Sequence, residues 1–177
     1  WSSQPGLTQQ KVFNKLIKTA SITKFGLDHN FNKIKSYSDY AKNTPIRDYE
    51  DFKSYIELIK KGEKNILWKG SPIYFAITSG TTSGTKYIPI TKDSLQEHIN
   101  ASKNAILLYI NETGNTNFIS GKFIFLQGSP VLGLEGVVKT GRLSGITAHH
   151  VPKYLQAGRL PSLETNCIDD WEKKVDK

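Results

Sequence analysis

A run of small hydroxylated residues with two glycines and one lysine occupies residues 78–86 and reads Thr-Ser-Gly-Thr-Thr-Ser-Gly-Thr-Lys. The apolar residues 73–77 lead into it. Glycine lets the backbone approach a ligand closely, and successive backbone N–H groups can then form a concave anion-binding surface. The hydroxyl groups add neutral donors, and Lys86 adds a charge that can reach a phosphate oxygen. This composition favours a loop that wraps the polyphosphate of a nucleoside triphosphate.

Two better-known phosphate-binding patterns do not match this loop. The Walker pattern requires Gly, four residues and then Gly-Lys-Ser/Thr, but Gly80 and Gly84 are only four positions apart, and Thr85 separates Gly84 from Lys86. The dinucleotide pattern GxGxxG is absent from the sequence. An ordinary polar hairpin turn uses the same residue types. Composition alone therefore leaves the turn and the phosphate loop open.

The order of the residues is more specific than their composition. It resembles the ATP-phosphate loop of acyl-adenylate-forming enzymes, and the form Ser-Gly-Thr-Thr-Ser-Gly-x-Lys-x-x-Pro is similar to one branch, the acyl-acid amido synthetases or auxin-responsive promoter family. Further blocks from about Phe25 onward are similar to the same family: Trp68-Lys69-Gly70 through Phe75-Ala76, Gly128-Ser129-Pro130, Thr140-Gly141-Arg142-Leu143-Ser144-Gly145-Ile146, Ala148-His149-His150-Val151-Pro152 and Arg159-Leu160-Pro161-Ser162. The chain is identified as an N-terminal fragment of a bacterial-type member.

The resemblance implies an α/β fold, with residues 1–177 as the N-terminal part of the large nucleotide-binding domain and the remainder of that domain and the C-terminal domain outside this chain. It also implies a ligase that uses ATP and Mg²⁺ to adenylate a small carboxylic acid and then joins the acyl group to an amino acid. Lys86 is the expected catalytic residue. The residues expected to hold ATP are Thr78, Ser79, Gly80, Thr81, Thr82, Ser83, Gly84 and Lys86.

The acid-binding residues are expected on the helix that follows the loop, because this helix helps to line the acyl pocket in plant relatives. Here it carries no arginine, which argues against inferring a plant hormone as the acid. We expect acid contacts from Asn100, Lys103, Asn104, Leu107 and, from the downstream block, His149. Neither the acid nor the amine can be named from the sequence.

The pair His149-His150 has several interpretations. Adjacent histidines point in different directions and lack partners at a familiar metal-ligand spacing. They can instead hydrogen-bond within the glycine-rich segment, form a wall of the acyl site, or supply a general base near neutral pH. Arg142 can meet a carboxylate bidentately or serve a structural role.

Composition narrows the class of protein. The 177 residues carry 23% charged and 37% hydrophobic side chains, which is typical of a globular protein. No apolar run approaches the ~20 residues that a membrane span requires. Cys167 is the only cysteine, so the chain has no internal disulfide and a cytoplasmic location is expected. Methionine is absent, and residues 168–177 read as an amphipathic helix without a stop signal, both of which suggest a fragment.

The net charge of +8 includes Lys11, Lys15 and Lys18 on one predicted helical face. This face is either a solvated surface, which we favour, or a binding site for an anionic partner. No aromatic and basic motif accompanies it, so neither nucleic acid nor membrane is expected as a partner. The oligomeric state cannot be predicted.

Hydrophobic periodicity and turn residues predict the following elements. Helices are expected over 8–20 with Thr8 as N-cap, after Asp48 up to Gly62, and from Thr91 to about Asn111 with Leu95, Ile99, Ser102, Ala105, Ile106 and Tyr109 facing inward. Residues 30–47 read as a loop with a short helix. Strands are expected over 73–77, over 87–90 as an edge strand because of Pro89, and over 123–126 as a buried strand. Residues 128–145 read as irregular backbone.

Two other functions compete with the amido synthetase. A different adenylate-forming enzyme, such as an acyl-CoA ligase, would use the same phosphate loop, but the extra serine and the downstream blocks argue against it. A non-catalytic interaction module would instead depend on the basic helix.

The strands of the sheet can extend beyond this chain. If strands outside the chain complete the sheet, the chain alone would expose apolar edges of that sheet.

Overall fold

A computed structural model describes residues 3–78, 84–125, 127–156, 158–168 and 170–176 of the chain. The chain folds into two compact units, Trp1–Pro72 and Ile73–Lys177. The fold is mixed α/β: helices make up the first unit, and the strands lie in the second.

The first unit consists of short helices around an aromatic core. Its elements are α1 (Pro5–Ala20), α2 (Lys24–Asp28), a 3₁₀ turn (Phe31–Lys33), α3 (Tyr37–Asn43), a second 3₁₀ turn (Glu50–Phe52) and α4 (Lys53–Lys60). Helix α1 begins earlier than predicted, because Pro5 fits the first turn of a helix, and the Thr8 hydroxyl donates to the Gln4 carbonyl instead of capping. The predicted helix after Asp48 is confirmed and ends before Gly62.

Aromatic rings fill the centre of this unit. Phe25 stacks on His29 with ring centroids 4.0 Å apart and contacts Phe31 edge-on at 5.8 Å. The buried His29 donates from Nδ1 to the Phe25 carbonyl at 2.7 Å. The buried Tyr55 donates its hydroxyl to Asp28 at 2.8 Å. These contacts give His29 and Tyr55 hydrogen-bond partners inside the core, as buried polar groups require.

The second unit contains two sheets and the longest helix. Its elements are β1 (Tyr74–Thr78), β2 (Lys86–Ile90), α5 (Lys92–Thr113), a 3₁₀ turn (Asn117–Ser120), β3 (Phe123–Ile124), β4 (Gly133–Glu135), β5 (Val138–Gly141), α6 (Leu143–Ala148), α7 (Lys153–Gln156), β6 (Arg159–Leu160), α8 (Leu163–Asn166) and α9 (Trp171–Val175). The larger sheet has the order β2-β1-β5-β4, and the smaller pairs β3 with β6 in parallel. Strand β2 is an edge strand, as Pro89 predicted.

Helices α5 and α6 pack on one face of the larger sheet. Ala76 and Ile90 from the sheet contact Leu95 and Ile146 from the helices, and Ile146 is fully buried. The Thr91 hydroxyl accepts from the Ser94 amide in a capping box, and Gly114 ends the helix with φ of 66°. Both ends of α5 therefore agree with the sequence prediction.

Three sequence predictions are wrong in this unit. In the half of α5 that follows Ile99, the side chains of Ser102, Ala105 and Tyr109 are exposed rather than inward-facing. No other described element covers this half of the helix. Strand β3 is short, and Ile124 is 78% exposed, since only β6 pairs with it among the described residues. Only residues 128–132 of the range 128–145 are irregular, since the rest forms the β4–β5 hairpin and begins α6.

Within the described part of the chain, no helix has the length and apolar character needed to cross a membrane.

Candidate functional site

The β1–β2 hairpin positions the predicted phosphate loop. The two strands pair antiparallel, and Thr78 and Lys86 form the last pair before the connection. Both residues therefore stand at the mouth of the loop, on strands whose other end is fixed in the core through Ile90. Ser79, Gly80, Thr81, Thr82 and Ser83, to which the sequence assigns phosphate contacts and loop shape, lie outside the described residues.

Gly84 is the described glycine of the loop. Its φ is +79°, and a Cβ placed there would meet no atom within 4 Å. Backbone conformation rather than lack of space therefore favours glycine at this position. The role of Gly84 in shaping a phosphate loop remains a prediction.

The loop follows the carboxyl end of β1, and the carboxyl end of β5 lies at the same end of the sheet. Strands β1 and β5 run parallel, and Ala76 pairs with Gly141. The chain then continues through Arg142 into α6, so the start of α6 lies at the same end of the sheet as Thr78. In open α/β sheets, ligands bind outside the carboxyl ends of the strands. The candidate site is therefore this end of the sheet, which Thr78, Lys86 and the start of α6 border.

Glycines let α6 pack tightly against the segment that precedes the β4–β5 hairpin. A Cβ on Gly145 would lie 2.2 Å from the Ser129 carbonyl oxygen, and one on Gly141 would lie 2.8 Å from a methyl carbon of Leu132. The Gly128 amide donates to the Ser144 hydroxyl at 3.0 Å. Two blocks that carry the family resemblance, 128–130 and 140–146, are thus in contact. Together they support the end of the sheet at which the candidate site lies.

Both histidines of the downstream block are hydrogen-bonded. His149 donates from Nε2 to the Pro130 carbonyl at 2.7 Å, which is a contact with the glycine-rich segment. His150 Nε2 lies 3.3 Å from the Tyr74 hydroxyl on β1, and the two rings meet edge-on. Burial, and to a smaller extent the charge of His149, lower the pKa of His150. His150 is therefore a neutral link between α6 and β1 at neutral pH.

The predicted acid-binding residues of α5 share a face of the helix. Asn100, Lys103, Asn104 and Leu107 follow the i, i+3, i+4, i+7 spacing and adjoin the core-facing stripe of Leu95 and Ile99. Asn100 is partly buried and its side-chain oxygen accepts from Gln96 at 3.0 Å, while the other three are exposed. They offer amide, ammonium and aliphatic groups from one surface. Their role in binding an acid remains a prediction.

Sequence analysis missed a buried polar pair, Gln127 and Arg159. Arg159 begins β6, is only 8% exposed, and donates from Nη2 to the Gln127 side-chain oxygen. Its guanidinium lies 5.5 Å above the centre of the Phe125 ring. The only sequence signal was an arginine between Gly158 and Leu160 within a block that resembles the family. The partners are 32 positions apart in the sequence, so no local pattern reveals their contact.

Metal ligands do not cluster in this part of the chain. Among the described residues, no group of three or more His, Cys, Asp or Glu side chains could hold a metal ion.

Comparison with solved structures identifies the fold. The structure of the AtGH3.15 acyl acid amido synthetase in complex with 2,4-DB superposes with a TM-score of 0.72 at 21% sequence identity, over 94% of this chain and 29% of that one. Another structure of the GH3.15 acyl acid amido synthetase gives a TM-score of 0.71 at 22% identity, over 92% of this chain and 28% of that one. The chain therefore has the fold of part of these two acyl acid amido synthetase structures.

Sequence comparison identifies the family. The chain belongs to the GH3 family, because residues 1–130 match the GH3 family N-terminal domain. A curated relative, the indole-3-acetic acid-amido synthetase GH3.15 of Arabidopsis thaliana, is 38% identical over 91 residues, which make up 50% of this chain and 15% of that protein. The chain therefore spans less than a third of the length of these relatives. The family predicted from the sequence blocks is confirmed.

Proposed function

We propose that the protein containing this chain is an ATP-dependent acyl-acid amido synthetase. It adenylates a small carboxylic acid and transfers the acyl group to the amine of an amino acid. The observation that carries this proposal is the β1–β2 hairpin: in a GH3-family domain, it holds a Ser-Gly-Thr-Thr-Ser-Gly-x-Lys loop with Gly84 at positive φ and Lys86 at the loop mouth. The names of the similar proteins support the same reaction.

In the first step, an oxygen of the substrate carboxylate attacks the α-phosphorus of ATP. The bond from that phosphorus to the bridging oxygen breaks, and pyrophosphate leaves with the electron pair. The carboxylate is already a nucleophile, so the site has to align two anions and offset their charge rather than move a proton. Lys86 supplies a positive charge for the β- and γ-phosphates, and Mg²⁺, when bound, neutralises further phosphate charge.

The loop residues would contact the phosphates through their amides and hydroxyls. We assign Ser79, Thr81, Thr82 and Ser83 to these contacts, with Thr78 at the entrance. Gly80 and Gly84 would shape the backbone so that successive N–H groups can face one anion. The block around α6 would hold this loop against the sheet.

In the second step, the amine nitrogen attacks the acyl carbon of the adenylate. The carbon–oxygen bond to AMP breaks, AMP leaves, and the nitrogen loses a proton as the amide forms. We assign the acid surface to Asn100, Lys103, Asn104 and Leu107 on α5, and to His149. Residues 1–177 would form the N-terminal part of the large domain, with further residues completing the site. The need for ATP and the exposed free thiol of Cys167 favour a cytoplasmic location.

Product analysis tests this proposal. The full-length protein is incubated with ATP, Mg²⁺, a panel of small carboxylic acids and either amino acids or coenzyme A, and the products are identified by mass spectrometry. We expect an acyl–amino acid amide together with AMP and pyrophosphate. A coenzyme A thioester without an amide would identify an acyl-CoA ligase instead, and no ATP-dependent product would favour an interaction module.

A further inference from the structure

The Arg159–Gln127 pair contains two buried donors without an acceptor among the described residues. Arg159 is more than nine-tenths buried, yet in the described part of the chain its Nε has no hydrogen-bond partner. The side-chain nitrogen of Gln127 is also buried and has no partner there. Buried polar groups are nearly always hydrogen-bonded, and an unsatisfied one costs about 1–3 kcal/mol. Two unsatisfied donors side by side indicate that an acceptor belongs between or beside them.

The charge of Arg159 points to an anion as that acceptor. No Asp or Glu among the described residues forms an ion pair with this guanidinium, whose charge is opposed by burial alone, which lowers its pKa. A guanidinium stays protonated in proteins, so the charge cannot be relieved by losing a proton. Leaving a buried charge unpaired is strongly destabilising. The nearby Phe125 ring offsets only part of this cost, since a cation–π contact contributes about 0.5–2 kcal/mol.

The orientation of Gln127 follows from its contact with Arg159. Arginine has donors only, so the amide oxygen must face the guanidinium and the amide nitrogen must face away from it. The two orphan donors, Arg159 Nε and Gln127 Nε2, therefore belong to one hydrogen-bonded unit. Each of them can donate a hydrogen bond to a carboxylate oxygen. One carboxylate charge matches the one guanidinium, whereas a phosphate ester near pH 7 carries about 1.5–2 charges.

We propose that Arg159 and Gln127 form a carboxylate-binding pair in the GH3-family domain. Gln127 directly precedes Gly128, whose amide donates to Ser144 at the start of α6, so the pair adjoins the block that borders the candidate site. The carboxylate belongs either to a small acid or to an Asp or Glu side chain elsewhere in the full-length protein. The first source rests on the proposed function, and the second does not.

Thermal unfolding of the full-length protein tests the pair without any catalytic step. The probes are acetate, butyrate, benzoate and phenylacetate, each compared with its primary amide as a neutral control. The variants are Gln127→Glu, which adds a carboxylate beside Arg159, and Arg159→Leu. Lys122→Leu is the matched control, because it removes an exposed positive charge just before β3. ATP–pyrophosphate exchange is measured separately, so failure of the proposed function is distinguishable from failure of this pair.

A small acid as the bound group predicts one pattern. At least one acid raises the wild-type melting temperature by about 2 °C or more, its amide does not, and Lys122→Leu keeps the response. Gln127→Glu and Arg159→Leu lose it, because the added carboxylate competes in the first and the charge is missing in the second.

A carboxylate of the protein itself predicts another pattern. No acid shifts the wild-type melting temperature, and Gln127→Glu lowers it, because the new carboxylate meets one already in place. The proposal is overturned if no acid acts and Gln127→Glu raises or does not change the melting temperature, since Arg159 would then have no carboxylate partner. If an acid still raises the melting temperature of Arg159→Leu, that acid binds at another site. The change in melting temperature caused by Gln127→Glu then decides whether the pair holds a carboxylate of the protein.

Discussion

The segment around α6 and the second half of α5 differ in how their side chains are covered, although both belong to the second unit. Around α6, Gly145 packs against the Ser129 backbone, Ile146 is fully buried, and His149 and His150 are both hydrogen-bonded. On α5 beyond Ile99, the side chains are exposed or only partly buried, and Leu107 is 56% exposed.

Under the proposed function, this difference in packing matches two separate tasks. A loop that wraps an anion needs a backing that does not move, and close backbone packing of the kind seen around α6 supplies one. An exposed helix face can change its side chains at little cost in stability, since surface substitutions usually fall within about 0.5 kcal/mol. We infer that the α6 segment serves the part of the reaction common to the family, and the face of α5 serves the choice of acid.

The largest expected effect is that of Gly145→Ala. The new Cβ would meet the Ser129 carbonyl oxygen at 2.2 Å, so α6 and the segment around Ser129 must move apart. We expect a loss of about 3 kcal/mol or more in the free energy of unfolding, the upper part of the range for overpacked cores. Denaturant unfolding measures it.

Gly6→Ala is the control for that substitution, because a Cβ at Gly6 in α1 would meet nothing within 4 Å. This change is expected to be neutral or to stabilise by up to about 1 kcal/mol. Equal stabilities for the two variants would mean that α6 is not tightly packed.

The next effect compares two leucines of the same helix. Leu95 is buried against the sheet at 4% exposure, whereas Leu107 lies on the exposed face. We expect Leu95→Ala to cost about 2–5 kcal/mol in the free energy of unfolding. Leu107→Ala should cost less than about 0.5 kcal/mol.

Steady-state kinetics of the Leu107→Ala protein tests whether this exposed leucine contributes to acid binding rather than to stability. The proposed function predicts a changed KM for the acid with an unchanged KM for ATP. A stability loss at Leu107 as large as that at Leu95 would contradict the picture of an exposed helix face.

The smallest expected effect is a pH dependence at His150. Its pKa in the folded protein is lowered below 6.5 by burial, so the folded state takes up a proton less readily than the unfolded chain. Its contribution to stability is therefore present above about pH 6.5 and declines as the pH falls toward the lowered pKa. We expect His150→Gln to lose less stability than the wild type between pH 7 and pH 5.

Thermal unfolding at a series of pH values makes this comparison. His98→Gln, which removes an exposed histidine on α5, controls for the loss of an imidazole. Parallel curves for the wild type and His150→Gln would show that burial does not oppose protonation of His150.

Sequence patterns predicted the elements that local interactions determine. Thr91 and Gly114 mark the ends of α5 because a cap is formed by residues within one turn. Pro89 placed β2 at the edge of its sheet because proline lacks the amide that an inner strand needs. The order of the residues in the loop indicated the family, and the GH3 family N-terminal domain matches residues 1–130 of the chain.

Contacts between distant residues account for what the sequence could not predict. Gly141 and Gly145 read as loop residues, but they are glycines because Leu132 and Ser129 approach them. The helical periodicity of α5 shows which side chains share a face and not whether another element covers that face. Gln127 and Arg159 carry no local signal, since their meaning lies in a contact between β6 and the residues that follow β3.

Acid-dependent ATP–pyrophosphate exchange by the full-length protein tests the central claim, that the β1–β2 hairpin presents an adenylation loop. The wild type is compared with Lys86→Ala and with Lys92→Ala, which removes an exposed lysine at the start of α5. A charged hydrogen bond contributes about 1.5–3 kcal/mol, so Lys86→Ala should lower exchange at least about tenfold while Lys92→Ala keeps it. Exchange that is absent with every acid, or unchanged in Lys86→Ala, would contradict the account.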